Sequence, residues 1–415
     1  QTLNNAGGHI DSQQQLSLQL SGEMDNSDGA VRSNGEQQIH AATVNNRQGI
    51  FSSREAINLT TGQLENASGT LISQGAGSYH LNVLNNQQGK VHSGAALSLD
   101  AAQLNNQGGQ LVATQDLVLK ATAIDNSTQG VLSSQAGLSL QADRLSNRDG
   151  GLLLGTTFTD IASRDIDNSS GRLQSAGTLL LRDVAQLDNR QGQMLAKGDL
   201  TLNADLSPTD SPLVLLNQRG RLESAGALNI HAHAFDNQGG TLLGLQALTL
   251  TAQQDYTREA GETLSSNGTV TFSLSGAFTN LVDWLLPGNL VLNATAITNP
   301  AMLVGKTVQL TTGALLNSGR LEADALTLNV DSLDNSATVM GDEITVRGRV
   351  IDNHGQPAVI AATQSLTLQA RERLSNTEGA LLYSGGRLFL HSDDLIENRA
   401  SFIEADGDMT LEARR

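Results

Sequence analysis

The chain has 415 residues with 42 glycines, 5 prolines, no cysteine and 3% aromatics, so its interior must be built from small and aliphatic side chains without disulfides or thiol-bound metals. Its 42 acidic residues outnumber 25 basic ones, for a formal charge of −17; with no basic run anywhere, this argues against a nucleic-acid partner, whose phosphates need Lys and Arg. No stretch of 18 apolar residues occurs, so the chain is not expected to span a membrane as a helix.

From the first residues onward, a large apolar residue, one intervening residue and then Asn recur as a unit, nineteen times in all. The asparagines fall at Asn5, Asn26, Asn46, Asn66, Asn86, Asn106, Asn126, Asn147, Asn168, Asn189, Asn217 and Asn237, usually 20 or 21 residues apart. A second series at Asn280, Asn299, Asn317, Asn335, Asn353, Asn376 and Asn398 has steps of 18 to 23. A fixed period of this length marks a stacked solenoid, in which each repeat touches only its neighbours.

Glycine stands three residues after the Asn in most early repeats, as Gly8, Gly29, Gly49, Gly69, Gly89, Gly109, Gly150, Gly171, Gly192, Gly220 and Gly240; Gly130 is displaced by one. Both residue types tolerate positive φ, so each N-x-x-G is read as a turn. Alternating segments follow it, such as Leu111 with Ala113 and then Leu117, Leu119 and Ala121. Period-2 alternation in short runs bounded by turns is a strand signal. The expected fold is all-β, a right-handed parallel β-helix of about twenty coils. Leu71, Val91, Leu111, Leu132, Leu152 and Leu173 should form one interior column, and Leu97, Leu117 and Leu138 another, with amide and glycine corners outside. Asn46, Asn66, Asn86, Asn106, Asn126, Asn147, Asn168 and Asn189 are read as a structural ladder in which each amide donates to the next.

The chain order suggests three regions: regular repeats over 1–252, an irregular transition over 253–296, and a second array of 18- to 23-residue repeats over 297–415. Within the irregular tract one coil of altered shape is expected, then an excursion around Trp284 and Pro287-Gly288. Trp284, Leu285 and Leu286 are candidate partner contacts, because aromatics concentrate binding energy; the alternative is an apolar plug in the core. Both ends of the chain fall inside repeats, so a segment of a longer protein is expected.

Leu104-Asn105-Asn106-Gln107-Gly108-Gly109-Gln110-Leu111 and Leu187-Asp188-Asn189-Arg190-Gln191-Gly192 resemble the repeats of filamentous haemagglutinins and of the related CdiA-type exoproteins of contact-dependent growth inhibition. The resemblance covers Leu3 to about Ala252 and, more loosely, Ile297 to the end. It implies a secreted or cell-surface filament of a Gram-negative bacterium, exported through an outer-membrane two-partner-secretion transporter. It also implies adhesion to a target-cell receptor, or a shaft for toxin delivery.

Parallel β-helices also include polysaccharide lyases and hydrolases, so acidic pairs need weighing. Asp125, Asp167, Asp188, Asp236, Asp334 and Asp352 each precede a repeat Asn. Asp167 with Asp188, and Asp334 with Asp352, should sit one coil apart, but such residues ordinarily cap turns. Glu404, Asp406 and Asp408, and the pair His231 and His233, lack the further ligands a metal needs. Gly305-Lys306-Thr307 has Pro300 where a phosphate-binding loop needs its first glycine. No catalytic residue, metal or cofactor is assigned. The expected function is a non-enzymatic spacer; the alternatives are a carbohydrate-active β-helix or a receptor-binding module at the irregular tract.

Overall fold

The computed structural model describes residues 1–203, 206 and 210–414. They are all-β, with no helix among them, and divide into two compact units: Gln1–His231 with Phe235–Thr241, and Ala232–Ala234 with Leu242–Arg415. Each is a parallel β-solenoid.

In the first unit a coil is made of three short strands, for example Lys90–Ser93, Leu97–Asp100 and Gln103–Asn105. Each pairs in parallel with its counterpart one repeat on, placing Val91 on Leu111, Leu97 on Leu117 and Leu104 on Ile124. Alternation explains the register: Leu97 and Leu99 point inward and are buried, while Ser98 and Asp100 face out. A one-residue slip would reverse every side chain, so the aliphatic column fixes the stacking. That column runs Leu71, Val91, Leu111, Leu132, Leu153 and Leu173, each at most 1% exposed. Leu153 replaces the expected Leu152, which faces outward beside Val131 and Arg172.

The shift has a local cause. The turns after Asn126 and Asn147 contain one extra residue, and the glycines packed against these amides are Gly130 and Gly151, not Gly150. The additional residue is absorbed by a second left-handed position, at Thr128 and Gln129 in one turn and Asp149 and Gly150 in the other.

The amide corners lie inside the stack, contrary to the expectation, because only there can each amide bond both its neighbours. Asn26 through Asn217 in the first series are 0% exposed. Each Nδ2 donates to the Oδ1 of the next Asn at 2.6–2.8 Å, from Asn5 to Asn237. A buried amide without partners costs about 1–3 kcal/mol, and the ladder supplies those partners coil after coil.

It also gives the repeat glycine a different purpose from the expected one. Positive φ falls on the residue before it, at Asp28, Gln48, Ser68 and Gln88, where most side chains tolerate the strain at about 1–2 kcal/mol. The glycine itself is required by close approach: a Cβ on Gly109 would stand 2.6 Å from Asn106 Oδ1 and closer still to the carbonyl oxygen of Asn86. Glycine and amide are therefore one packing unit spanning two coils.

The second unit uses longer strands. Met302–Asn317, Arg320–Asn335, Thr338–His354 and Val359–Thr377 each form nearly a whole coil. Leu303, Leu321, Val339, Ile360 and Leu382 stack in register inside it and are fully buried. A ladder of the same polarity runs from Asn280 to Asn398 at 2.7–2.9 Å.

Candidate functional site

Within the second unit, the tract before Asn280 holds a coil whose ladder position is not Asn. Tyr256, Thr257 and Arg258 pair with Phe278, Thr279 and Asn280, so Arg258 occupies the amide's place and Tyr256 the apolar one. An arginine is too long for that slot. Its guanidinium reaches past the turn, and Nη1 donates to the carbonyl oxygens of Val282 and Asp283 at 2.8 and 3.1 Å. The substitution leaves two orphans: Arg258 Nε and Asn280 Oδ1 are buried without a partner among the described residues.

Arg258 also lies over the Trp284 ring, 5.4 Å from its centroid, a cation–π contact. Trp284 meets Phe272 edge-on at 5.8 Å and Phe278 at 5.8 Å, while Tyr256 stacks on Phe272 at 6.1 Å. In a chain with so few aromatics, four of them fill one core. Tyr256 donates its hydroxyl to Glu262 at 2.7 Å, and the Glu259 N–H donates to the same carboxylate at 3.2 Å. Burial lowers the pKa of Arg258, partly countered by Tyr256, Glu262 and Asp283. Burial raises that of Glu262 against the donors that hold it down.

A raised carboxyl means that the folded chain holds a proton the unfolded chain has released. Stability from this group is therefore greatest at low pH and falls as pH rises from the ordinary carboxylate range through the raised value. Glu262→Gln, which still accepts both hydrogen bonds, is expected to flatten that decline in urea midpoints measured between about pH 4 and 7. An unchanged slope would show that Glu262 is not its source.

The three candidate contacts separate. Trp284 and Leu286 are buried at 2% and 6% exposure, and the indole N–H donates to the Leu264 carbonyl at 2.9 Å. Leu285 is 64% exposed, and Leu281, at 51%, joins it on the surface. The loop carrying Leu281 is the one whose carbonyls Arg258 holds.

The acids before the repeat asparagines act as turn residues. Asp125, Asp167, Asp188 and Asp236 each accept the backbone N–H two residues ahead at 3.0–3.1 Å. Asp167 is in register with Asp188 and Asp334 with Asp352, yet each of these has its own partner. Asp188 pairs with Arg190, Asp334 bonds His354 and Asp352 bonds Arg373. Burial raises the Asp188 carboxyl, but the Arg190 hydrogen bonds and charge prevail and lower it overall. His231 lies 3.4 Å from the Leu206 carbonyl. Glu404, Asp406 and Asp408 are exposed, with Asp406 accepting from Tyr383. Lys306 stands in the strand Met302–Asn317 rather than a loop. Among the described residues no group of three or more His, Asp or Glu is placed to hold a metal, and no helix is long and apolar enough to cross a membrane.

Haemagglutinin repeats match residues 1–35, 32–79, 75–128, 120–204, 195–281 and 288–413, nearly the whole chain. The chain belongs to the haemagglutinin repeat family. This haemagglutinin repeat chain is similar to the deoxyribonuclease CdiA of Dickeya dadantii, at 30% identity over 246 residues, which is 56% of this chain and 7% of that protein. It is also similar to the tRNA nuclease CdiA of Yersinia mollaretii, at 25% over 255 residues, 57% of this chain and 8% of that protein. The chain thus spans less than a tenth of the curated relatives it matches. No solved structure matches it significantly.

Sequence reasoning missed Arg258, Tyr256 and Glu262 as a set. The signal was spacing: Arg258 lies 21 residues after Asn237 and 22 before Asn280, with Gly261 still three residues beyond it. A search for Asn alone passes over it.

Proposed function

We propose that this chain is a non-enzymatic filament segment of a secreted bacterial adhesin or growth-inhibition exoprotein, spacing a receptor-binding or toxin region from the producing cell. One observation carries this reading. The amide ladder runs without interruption from Asn5 to Asn237, and among the described residues of these coils no set of acids and bases displaces the repeat, as a lyase or hydrolase would require. In the coil of Arg258, where it is displaced, Tyr256, Arg258 and Glu262 are buried in the core. Membership of a repeat family and similarity to two CdiA proteins support it. In this reading the whole protein leaves through an outer-membrane two-partner-secretion transporter and meets a receptor on the target cell. The division into 1–252, 253–296 and 297–415 separates two arrays by a tract with its own chemistry.

A spacer tolerates loss of a whole coil. Deleting residues 87–106 from the full-length exoprotein joins Asn86 to the turn after Asn106 and should leave target-cell attachment within about twofold, since each repeat contacts only its neighbours. Abolished attachment with normal secretion would overturn the reading, as would turnover of an acidic polysaccharide by the purified chain.

A second reading is favoured by Leu281 and Leu285, exposed beside a loop that Arg258 fixes. If this tract contacts the receptor, Leu285→Asp should weaken attachment while Trp284→Ala acts only through stability.

A further inference from the structure

The first unit carries a trough of about 900 Å³ along its third strands, from Val83–Asn85 to Val214–Leu216. Along it the residue before the ladder Asn is half-buried in every coil from Asn85 to Leu216. Seven coils at about 4.8 Å give a length of roughly 29 Å, and an extended polypeptide at about 3.3–3.6 Å per residue would fill it with eight or nine residues.

Its lining has a direction. Val83 and Val214 provide aliphatic surface at the two ends, and Ala123 leaves the middle open. Five carboxylates, Glu65, Asp125, Asp165, Asp167 and Asp188, line it against a single cation, Arg144, and there is no aromatic ring for a sugar to stack upon. Arg144 stands 3.8 Å from Asp165, and Arg190 outside the lining is bound to Asp188. Asp125 accepts from the Ser127 N–H and Gln107 Nε2, and Asp167 from the Ser169 N–H and hydroxyl. Among the described residues neither is within ion-pair distance of a cation, although the Arg190 charge held by Asp188 also acts on Asp167. Neutral donors leave each carboxylate's single charge uncancelled, and it faces a concave surface with aliphatic walls, where attraction is stronger than on open surface.

We propose that this trough binds an extended cationic polypeptide segment, its Lys or Arg side chains over Asp125 and Asp167 and its apolar ones against Val83 and Val214. A second copy of this chain is the wrong occupant on charge, since each copy carries −17. Nucleic acid is excluded by the same sign.

The repeat itself supplies the test variant. Asn stands at the position of Asp125 and Asp167 in the coils of Asn45, Asn85 and Asn105 and caps the same turn there, so the double change Asp125→Asn with Asp167→Asn removes charge without removing the cap. A labelled nonapeptide of alternating lysine and alanine is titrated by fluorescence anisotropy in low salt. The double variant is expected to bind at least tenfold more weakly. A control with the same charge change at exposed Asp11 and Asp324 should alter binding less than about twofold, because distant surface charges are screened. Equal loss in both proteins would reduce the effect to overall acidity and overturn the proposal. So would equal binding of a glutamate–alanine nonapeptide, failure of the lysine peptide to bind, or occupation of the trough instead by a neutral oligosaccharide or a second copy of the chain.

Discussion

Leu111→Asp should destabilise the coils around it by about 4–5 kcal/mol or more, close to loss of folding in that part of the first unit. Leu111 is 0% exposed and stacked between Val91 and Leu132. A carboxylate there has an aliphatic neighbour above and below and no cation to answer it. In a repeat array the damage passes to nearest neighbours first, so hydrogen exchange should accelerate most in the strands Lys90–Ser93 and Val131–Ser134. Val118→Asp, at a site 45% exposed on the outer face, should cost less than about 0.5 kcal/mol. Equal denaturation midpoints for the two variants would mean that the assigned inner and outer faces are wrong.

Asn106→Asp is the second large effect, and it separates electrostatics from packing because the two side chains have nearly the same shape. Asn106 Nδ2 donates to Asn126 Oδ1 at 2.7 Å and to the carbonyls of Gly109 and Val131 at 3.2 Å, while Oδ1 accepts from Asn86. An aspartate at that point turns a donor into an anion aimed at three oxygens. The expected loss is about 3–5 kcal/mol, the cost of an unpaired buried charge. Asn106→Ala removes the same bonds without adding a charge and should cost less, about 1–3 kcal/mol. An aspartate variant no worse than the alanine one in urea denaturation would show that the ladder tolerates the charge, and that the direction of its hydrogen bonds is not what holds adjacent coils.

Most of the architecture was legible because solenoid physics repeats itself in the letters. Leu97, Leu117 and Leu138 declare their column by spacing alone, and the structure pairs them. The place of the asparagines was less legible: a polar residue beside glycine reads as a surface turn, and only the three-dimensional stack shows that the side chain of one coil satisfies the next. For the same reason the glycine was assigned to backbone conformation, when Gln88 takes the positive φ and Gly89 makes room for Asn66 and Asn86. Spacing points to Leu152 where the column holds Leu153, because one inserted turn residue is invisible to a count that allows steps of 20 or 21.

The irregular tract marks where repetition stops informing. Tyr256 and Arg258 share no letter with Leu and Asn, yet the backbone register keeps them in the same positions. Their neighbours are rearranged to suit: Trp284, Phe272 and Phe278 fill the interior, and Glu262 answers the tyrosine hydroxyl. None of these partners is implied by the repeat spacing, because each lies less than one repeat from the residue it meets. The exposure of Leu285 beside the burial of Trp284 follows from strand alternation once Trp284 is known to face in.

Coil-by-coil stacking can be measured as a ruler, because the chain has no native cysteine and paired spin labels can be placed at will. Gln38, Asn58, Ser78, Ser98, Val118, Ser139, Asp160, Leu180, Thr201 and Asn229 form one column in the first unit. With one label at Gln38 and the second at Ser139, Leu180 or Asn229, double electron–electron resonance should give distances rising by about 10 Å at each change, near 24, 34 and 43 Å. Distances that level off, or that do not follow the number of intervening coils, would contradict the stacked amide-and-leucine architecture on which the proposed spacer depends.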